Sequence, residues 1–384
     1  MKNKKYLNIE KMMDKIKEFF NNLPENFKSY VDLLKKNFNI EKPENLDNAV
    51  IFGVAKLGQK TFNELQKLKI KVSEFSDNNS QKWGKDIYGV KIIPPYEIKK
   101  EQTVIIASRY VKDIYFQLTN NNINKIIPHY VLSTVFPKYF PNSLYANWYN
   151  DIVAQREIVY KAYNSFADNY SKELFYQLLN FRKSLSPIDL PEISDEEQYY
   201  PHFWKLEEKE IFIDVGAYNG DIFLQFLKHS NGIFDKYIAI EPDSLSYNEF
   251  IKNIPIDYKE KVITFFAGAG SKEKQVFFNE TGGDYSKITN KGNKKINIIT
   301  LDEICKSYEP TTIKMDVEGY EINALRGARK TISRNLPKLA ISIYHIPNHL
   351  WQIPAFISKI CSGYKFYLRH HEPEIFGTVL YVIK

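Results

Sequence analysis

From Ile211 onward, short apolar runs rich in β-branched and aromatic residues recur at intervals filled mostly by helix-like sequence: "IFIDV", "KYIAIE", "VITFFAG", "TIKMDV", "KLAISIYH", "YKFYLRH" and "TVLYVIK". This alternation constrains the chain more than any other feature. Strands separated by helices pair side by side in parallel, because each helix carries the chain back across the face of the sheet. The last two runs have no helix between them, so the final strand must enter antiparallel or as an edge hairpin. Between the third and fourth runs, "KQVFFNE" and "KINIITLDE" read as an inserted hairpin. The expected fold class is therefore α/β: a doubly wound, mostly parallel sheet with one antiparallel carboxyl-terminal strand.

A shorter version of the same pattern begins at Ala49. "AVIFGV", the helical "KLGQKTFNELQKL", "IKVSEFSDNN", "TVIIAS" and "YVKDIYFQLTNNN" describe a second, smaller Rossmann-like α/β domain over residues 48–132. In front of it, residues 1–47 place Leu7, Met12, Ile16, Phe19, Phe20, Tyr30, Leu33, Leu34 and Phe38 at helical spacing, which reads as packing surface. Residues 133–205 are aromatic and strand-poor and end in "LSPIDLPEISDEEQYYP", so they read as a helical connector. The larger sheet then occupies 206–384. No self-similar repeat of solenoid period is visible.

Composition narrows the partners. A chain of 384 residues can bury two cores, and 43% hydrophobic content argues against extensive disorder. The 53 Lys plus Arg exceed the 46 Asp plus Glu by seven, but the lysines are scattered among asparagine, isoleucine and tyrosine, so no nucleic-acid partner is expected. Cys305 and Cys361 are the only cysteines and have no metal-type spacing, which fits a reducing compartment. Glu10, Asp14 and Glu18 interrupt any signal-peptide core, and nothing approaches the roughly 20 apolar residues of a membrane span. A cytoplasmic protein without stable membrane insertion is the expectation.

In a doubly wound sheet, ligands bind beyond the carboxyl ends of the strands, near the loop after the first one. Here that loop is Gly216-Ala217-Tyr218-Asn219-Gly220, preceded by Asp214 and followed by Asp221. A dinucleotide fingerprint would need a glycine where Tyr218 stands, and Asp221 at the helix start would repel a pyrophosphate. S-adenosylmethionine has no phosphate. Asp214 suits its ammonium, the loop amides suit its carboxylate, and Glu241, ending the second strand, can accept both ribose hydroxyls.

The segments "FIDVGAYNGD", "AIEPD", "ITLDE", "IKMDVEGYEINALRGA" and "ISIYHIPNHLWQIPAFI...YKFYLRHH" together resemble the FkbM family of S-adenosylmethionine-dependent O-methyltransferases, over about residues 206–384. "KMDVEGYE" is the most specific of them. The resemblance implies a class I methyltransferase fold with Asp214, Gly216 and Glu241 on the cofactor. Ala217, Tyr218, Asn219, Gly220, Pro242, Ala267 and Ser286 complete the expected cofactor-binding set, and Thr281 joins Ser286 near the cofactor or acceptor. The resemblance also implies an acceptor hydroxyl on a sugar, with a nucleotide-activated precursor of surface polysaccharide as the expected substrate.

A sugar hydroxyl is a weak acid, and a carboxylate alone is a modest base for it. A divalent cation, Mg or Mn, would lower its pKa and orient it. Asp316 and His345 fall at neighbouring strand ends and are the expected metal ligands, with Glu318 as a third ligand or base. Lys314, Arg369, His370 and His371 are expected toward the acceptor, although His370 and His371 would alternate faces in a regular strand. Glu321 is expected to cap or salt-bridge its own helix.

The earlier loop, "GVAKLG", carries Gly53, Ala55 and Gly58, with Asp77 after the next strand. It partly matches a dinucleotide site, but Ala55 crowds the pyrophosphate approach. A packing, homodimerisation or acceptor-presenting role is expected of that domain. Two other function classes remain in view. A nucleic-acid methyltransferase is weakened because "IPPYE" lies in the wrong domain for an amino-methyltransferase box; a non-catalytic sugar-nucleotide binder is weakened by Asp214, Glu241 and Asp316 together.

Overall fold

The computed structural model describes residues 15–384 except 147 and 283–285. Leu7 and Met12 of the amino-terminal stripe, and the centre of "TGGDYS", therefore lie outside the described residues. The chain divides into two compact units: one takes the residues up to Arg156 with Glu173–Glu192 and Glu372–Ile375, the other Glu157–Lys172, Ile193–His371 and Phe376–Lys384. The stretch 133–205, read above as a connector, is thus shared between both.

In the first unit, β1 (Ala49–Phe52), β2 (Val72–Ser76), β3 (Asp86–Ile87), β4 (Val90–Ile93), β5 (Val104–Ile106) and β6 (Ile126–Pro128) form a sheet of order β3-β4-β2-β1-β5-β6. All neighbours are parallel except β3 and β4. The sheet is wider than its sequence suggests, because β4 and β6 are too short to show a period. Every residue of β1 is buried, as a central strand covered on both faces requires. Tyr30 and Leu34 of the helix Phe27–Phe38 are fully buried, whereas Leu33 is exposed.

The second unit holds β7 (Ile211–Val215), β8 (Lys236–Ile240), β9 (Val262–Phe265), β10 (Gly268–Ala269), β11 (Lys274–Asn279), β12 (Lys287–Thr289), β13 (Lys294–Ile299), β14 (Thr312–Met315), β15 (Lys338–Ser342), β16 (Lys365–His370) and β17 (Thr378–Ile383). Its main sheet runs β16-β17-β15-β14-β7-β8-β9. Only β17 is reversed; it pairs antiparallel with both β15 and β16. The antiparallel strand therefore sits inside the sheet, and β16 forms the edge. The inserted hairpin proves to be part of a four-stranded sheet, β10-β13-β11-β12, whose Phe278, Ile296 and Ile298 form a small core of their own.

This order puts β14 and β8 on either side of β7, so the loops after β7, β8, β14 and β15 emerge at one edge. Beneath that edge, Phe212 and Tyr237 stack with ring centroids 5.2 Å apart and pack on Phe223, Phe226 and Phe250 from the covering helices. Among the described residues no helix is long and apolar enough to cross a membrane. Phe226 is fully buried in this cluster, so Phe226→Ala should cost about 3–5 kcal/mol in urea unfolding of the full chain, and a loss below about 1 kcal/mol would contradict the packing described.

Candidate functional site

Asp214 and Lys314 face one another across the β7–β14 register and are almost wholly buried. Lys314 Nζ lies 2.8 Å from Asp214 Oδ1 and donates to the Gly216 carbonyl at 2.7 Å, while Tyr237 Oη donates to Asp214 Oδ2 at 2.6 Å. Burial opposes charge on both groups. For Lys314 the Asp214 and Asp316 carboxylates outweigh that penalty and hold it above its ordinary value. Neither side chain has the exposure that cofactor or acceptor binding needs. Asp214 is a structural anion rather than a free partner for an ammonium, and Lys314 is its counter-ion rather than an acceptor ligand.

The loop that follows is held from below. Gly216 (φ 83°) and Gly220 (φ 90°) adopt left-handed backbone, and a Cβ on Gly216 would stand 1.9 Å from the Asp316 carbonyl oxygen. Gly216 is therefore needed for close approach of the β7 and β14 loops. Glu241 accepts from the Tyr218 amide at 2.9 Å through Oε2 and from the Asp243 amide at 2.8 Å through Oε1. Burial pushes its carboxyl up to about 7. Each oxygen keeps a second lone pair for a hydroxyl donor. Asn219 accepts from Asn253 through its carbonyl, and Ala217 is buried. Pro242 leads into Asp243, whose Oδ1 caps the helix Ser244–Asn253 and whose Oδ2 accepts from the Gly282 amide at 3.0 Å and Ser286 Oγ at 2.6 Å. Ser286 thus anchors its loop to Asp243, and its hydroxyl also lies 2.9 Å from that of Thr281. Ala267 lies buried between β9 and β10.

At the ends of β14 and β15 the structure assembles three acids around one imidazole, with a second imidazole behind the innermost acid. His345 Nδ1 is 2.8 Å from Glu321 Oε1, and its Nε2 lies 3.4 Å from Asp316 Oδ1 and 3.5 Å from Glu318 Oε1. Glu321 is fully buried; it accepts from the Val317 and Gly319 amides at 3.2 Å and meets His349 Nδ1 at 3.1 Å. Burial alone would raise Glu321, but His345 and His349 together hold it well below the usual carboxylate range. His345 in turn is held well above its ordinary value, against burial, by Glu321, Glu318 and Asp316. Glu318 has φ 51°, an uncommon backbone state for a non-glycine residue. Tyr199 Oη donates to Asp316 Oδ2 at 3.0 Å.

Three expected acceptor residues lie elsewhere. Arg369 is committed to Asp168 at 3.1 Å, Glu196 at 3.2 Å and the Leu368 carbonyl at 2.7 Å, sandwiched between the Tyr170 and Phe203 rings. His370 is fully buried against Thr378 Oγ1, 2.9 Å away. His371 bridges the Glu196 carbonyl and Tyr381 Oη, and burial pushes it down to about 4. β16 runs parallel to β15 with β17 between them, so it is burial and these committed partners, not distance along the sheet, that assign the three side chains to packing. Tyr199 and His349 were missed. His349 shows in the His-x₃-His spacing of "HIPNH", whereas nothing in "QYYP" marks Tyr199.

In the first unit, Gly53 and Gly58 also serve close backbone approach: a Cβ on Gly58 would stand 1.9 Å from the Gly53 carbonyl oxygen, and one on Gly53 2.5 Å from that of Ala107. Asp77 is paired with Lys82 at 2.9 Å. The fingerprint-like spacing thus places Gly53 and Gly58 at close backbone contacts.

The donor sets at the larger unit's edge have definite chemistry. Glu241 beside the Gly216–Gly220 loop can take a vicinal diol. A histidine has one nitrogen to give an ion; Glu321 holds Nδ1, so Nε2 is the one aimed at Asp316 and Glu318, and it has no hydrogen-bond partner among the described residues. A carboxylate behind a ligating imidazole is the usual support of a metal-bound histidine. One ligand atom each from Asp316, Glu321 and His345 also lies within 4.8 Å of the others. These residue types fit a divalent ion, with Glu321 the buried acid behind His345.

Two outcomes follow. Lys314→Met should cost about 3–5 kcal/mol by leaving Asp214 charged and buried, and adding Asp214→Leu should restore most of it, as read in a double-mutant cycle of unfolding free energies. Glu241, raised from 4.5 to about 7, keeps its proton in the folded state after the unfolded chain has lost it. Its contribution is present in full below pH 4.5 and is lost as pH rises to about 7, so wild type should lose stability relative to Glu241→Gln across that window; parallel stability–pH curves would contradict this.

Residues 214–369 match the Methyltransferase FkbM domain, and residues 45–127 match the C2185-like, N-terminal domain. No curated protein matches the chain. The chain superposes on the crystal structure of methyltransferase FkbM from Methylobacillus flagellatus KT with TM-score 0.73 and 23% identity, over 93% of this chain and 100% of that one. An rRNA methylase from Streptococcus thermophilus gives TM-score 0.29 and 13% identity over 46% of this chain and 87% of its own, a likeness too slight to carry an argument. The fold shared with the Methylobacillus protein includes the class I methyltransferase sheet. Residues 214–369 form a methyltransferase FkbM domain, and this part of the chain belongs to the FkbM methyltransferase family.

Proposed function

We propose that the chain moves a methyl group from S-adenosylmethionine to a hydroxyl of a sugar, a nucleotide-activated precursor of a capsular or O-antigen type polysaccharide, with help from a divalent ion and in the cytoplasm. The observation that carries this reading is the buried His345 Nε2 held between the Asp316 and Glu318 carboxylates, 3.4 and 3.5 Å away, too long for ordinary hydrogen bonds. The cofactor, when bound, supplies a methyl group already activated on sulfur. Glu241 would hold its ribose diol, and the backbone of the Gly216–Gly220 loop would hold its methionine end. Asp316 and His345 would hold a divalent ion, which would supply acidity to a nearby hydroxyl.

The chain's own work is alignment and proton removal. Glu321 fixes the His345 ring through Nδ1, and its amide bonds from Val317 and Gly319 fix Glu321 in turn. Glu318, the more exposed of the carboxylates, takes the acceptor's proton as the new oxygen–carbon bond forms and the sulfur–methyl bond breaks, releasing S-adenosylhomocysteine. The smaller unit presents the acceptor or pairs two chains.

The test is label transfer from methyl-labelled S-adenosylmethionine to a panel of nucleotide sugars, free glycans and RNA, with and without chelator. Label should enter a nucleotide sugar, fall about tenfold or more in chelator and return with Mg or Mn. Full turnover in chelator would sink the metal, and label confined to RNA would sink the sugar. His345→Ala should lower turnover by about 10²–10⁴-fold.

A further inference from the structure

Asp316, one of the two more exposed carboxylates of the cluster, turns its two oxygens to different partners outside its own loop. Oδ1 faces His345 Nε2 at 3.4 Å, and Oδ2 accepts from Tyr199 Oη at 3.0 Å. Tyr199 lies fifteen residues ahead of the FkbM match, which begins at 214, so nothing assigns it to the site.

Its placement is closely determined. The side chain is 3% exposed, its hydroxyl also lies 3.4 Å from Ser342 Oγ at the end of β15, and its amide donates to Tyr381 Oη of β17 at 2.8 Å. Its backbone has φ 69°, a state that an aromatic residue rarely adopts. The Lys314 ammonium lies 5.5 Å from the centre of its ring. Strained backbone, a tethered amide and a buried ring all converge on putting one hydroxyl against one oxygen of Asp316. Burial raises the phenol well above its ordinary value, followed by the Asp316 charge, so Tyr199 is a neutral donor.

We propose that Tyr199 is a positioning residue: by donating to Oδ2 it stops the Asp316 carboxylate from rotating and presents Oδ1 toward His345 Nε2 and whatever ion or hydroxyl lies between them. The segment ahead of the family domain therefore supplies part of the site. Without the hydroxyl, the carboxylate is free to swing and its second oxygen loses its only donor among the described residues. The inference rests on reading Asp316 and His345 as the working pair of the proposed methyl-transfer site.

The test uses the full chain and Tyr199→Phe, which keeps the ring and removes the hydroxyl. Mn binding is followed by electron paramagnetic resonance, thermal unfolding is recorded alongside, and Asp316→Asn is the control. The expected result is one Mn site in wild type, lost in Asp316→Asn, and weakened about 10- to 100-fold in Tyr199→Phe with the melting temperature nearly unchanged. Unchanged Mn affinity in Tyr199→Phe overturns the positioning role while leaving the metal site standing. Weakened affinity with an equal collapse of melting temperature also overturns it, since the hydroxyl would then be structural. A wild type without a saturable Mn site removes the metal reading, and the inference is then decided by a second signal. The tyrosine ring-carbon resonance next to the hydroxyl, identified by its disappearance in Tyr199→Phe, should move in Asp316→Asn; a stationary resonance overturns the Tyr199–Asp316 bond itself.

Discussion

The larger unit is organised around one buried ion pair. Lys314 reaches across from β14 to Asp214 of β7 and in the same posture holds the Gly216 carbonyl, while Tyr237 of β8 takes the other Asp214 oxygen. Three adjacent strands and the first loop are thereby fixed to one another by charge-assisted bonds in a dry environment, where leaving either partner alone is costly. The loop's geometry follows. Once Gly216 is pinned, Tyr218 can offer its amide to Glu241, and the Asp316 backbone can pack against Gly216 with no Cβ between them. The cofactor edge and the acid–histidine cluster are thus two sides of one clamp.

How much of this the sequence discloses depends on the kind of signal. The strand–helix alternation shows the sheet plainly, because each of β7, β8, β14 and β15 is a continuous apolar run bounded by a loop. It did not show that β17 lies inside the sheet, since an antiparallel strand following β16 reads the same at either position. Asp316, Glu318 and His345 were legible because they end adjacent parallel strands, and the structure brings them together around His345 Nε2. Asp214 was misassigned for a physical reason. Sequence marks a carboxylate at a strand end but not the lysine across the register, two residues ahead of Asp316, that neutralises it. Arg369, His370 and His371 carry chemistry-bearing side chains but are spent on edge-strand packing. Tyr199 could not be read because its role depends on a long-range contact made by an irregular segment.

The cluster around His345 shows a division of labour. Glu321 is the innermost acid, with four donors around it and no exposure, and its task is to fix two imidazoles. Asp316 and Glu318 are the outer acids with solvent access. With Glu321 buried and the two outer acids partly exposed, reactivity falls where a substrate can reach it. By contrast, the glycines of the smaller unit's loop are consumed in close backbone contact, and Asp77 is paired with a lysine.

The central claim is that the loop after β7 and the acid ending β8 hold S-adenosylmethionine. Isothermal titration of the full chain with S-adenosylhomocysteine, alongside Glu241→Ala, tests it most directly. The account predicts one saturable site in wild type and an affinity lower by about tenfold or more in the variant, from loss of the hydrogen bonds that Glu241 offers the ribose hydroxyls. No binding by wild type, or an unaltered affinity in Glu241→Ala, would contradict it.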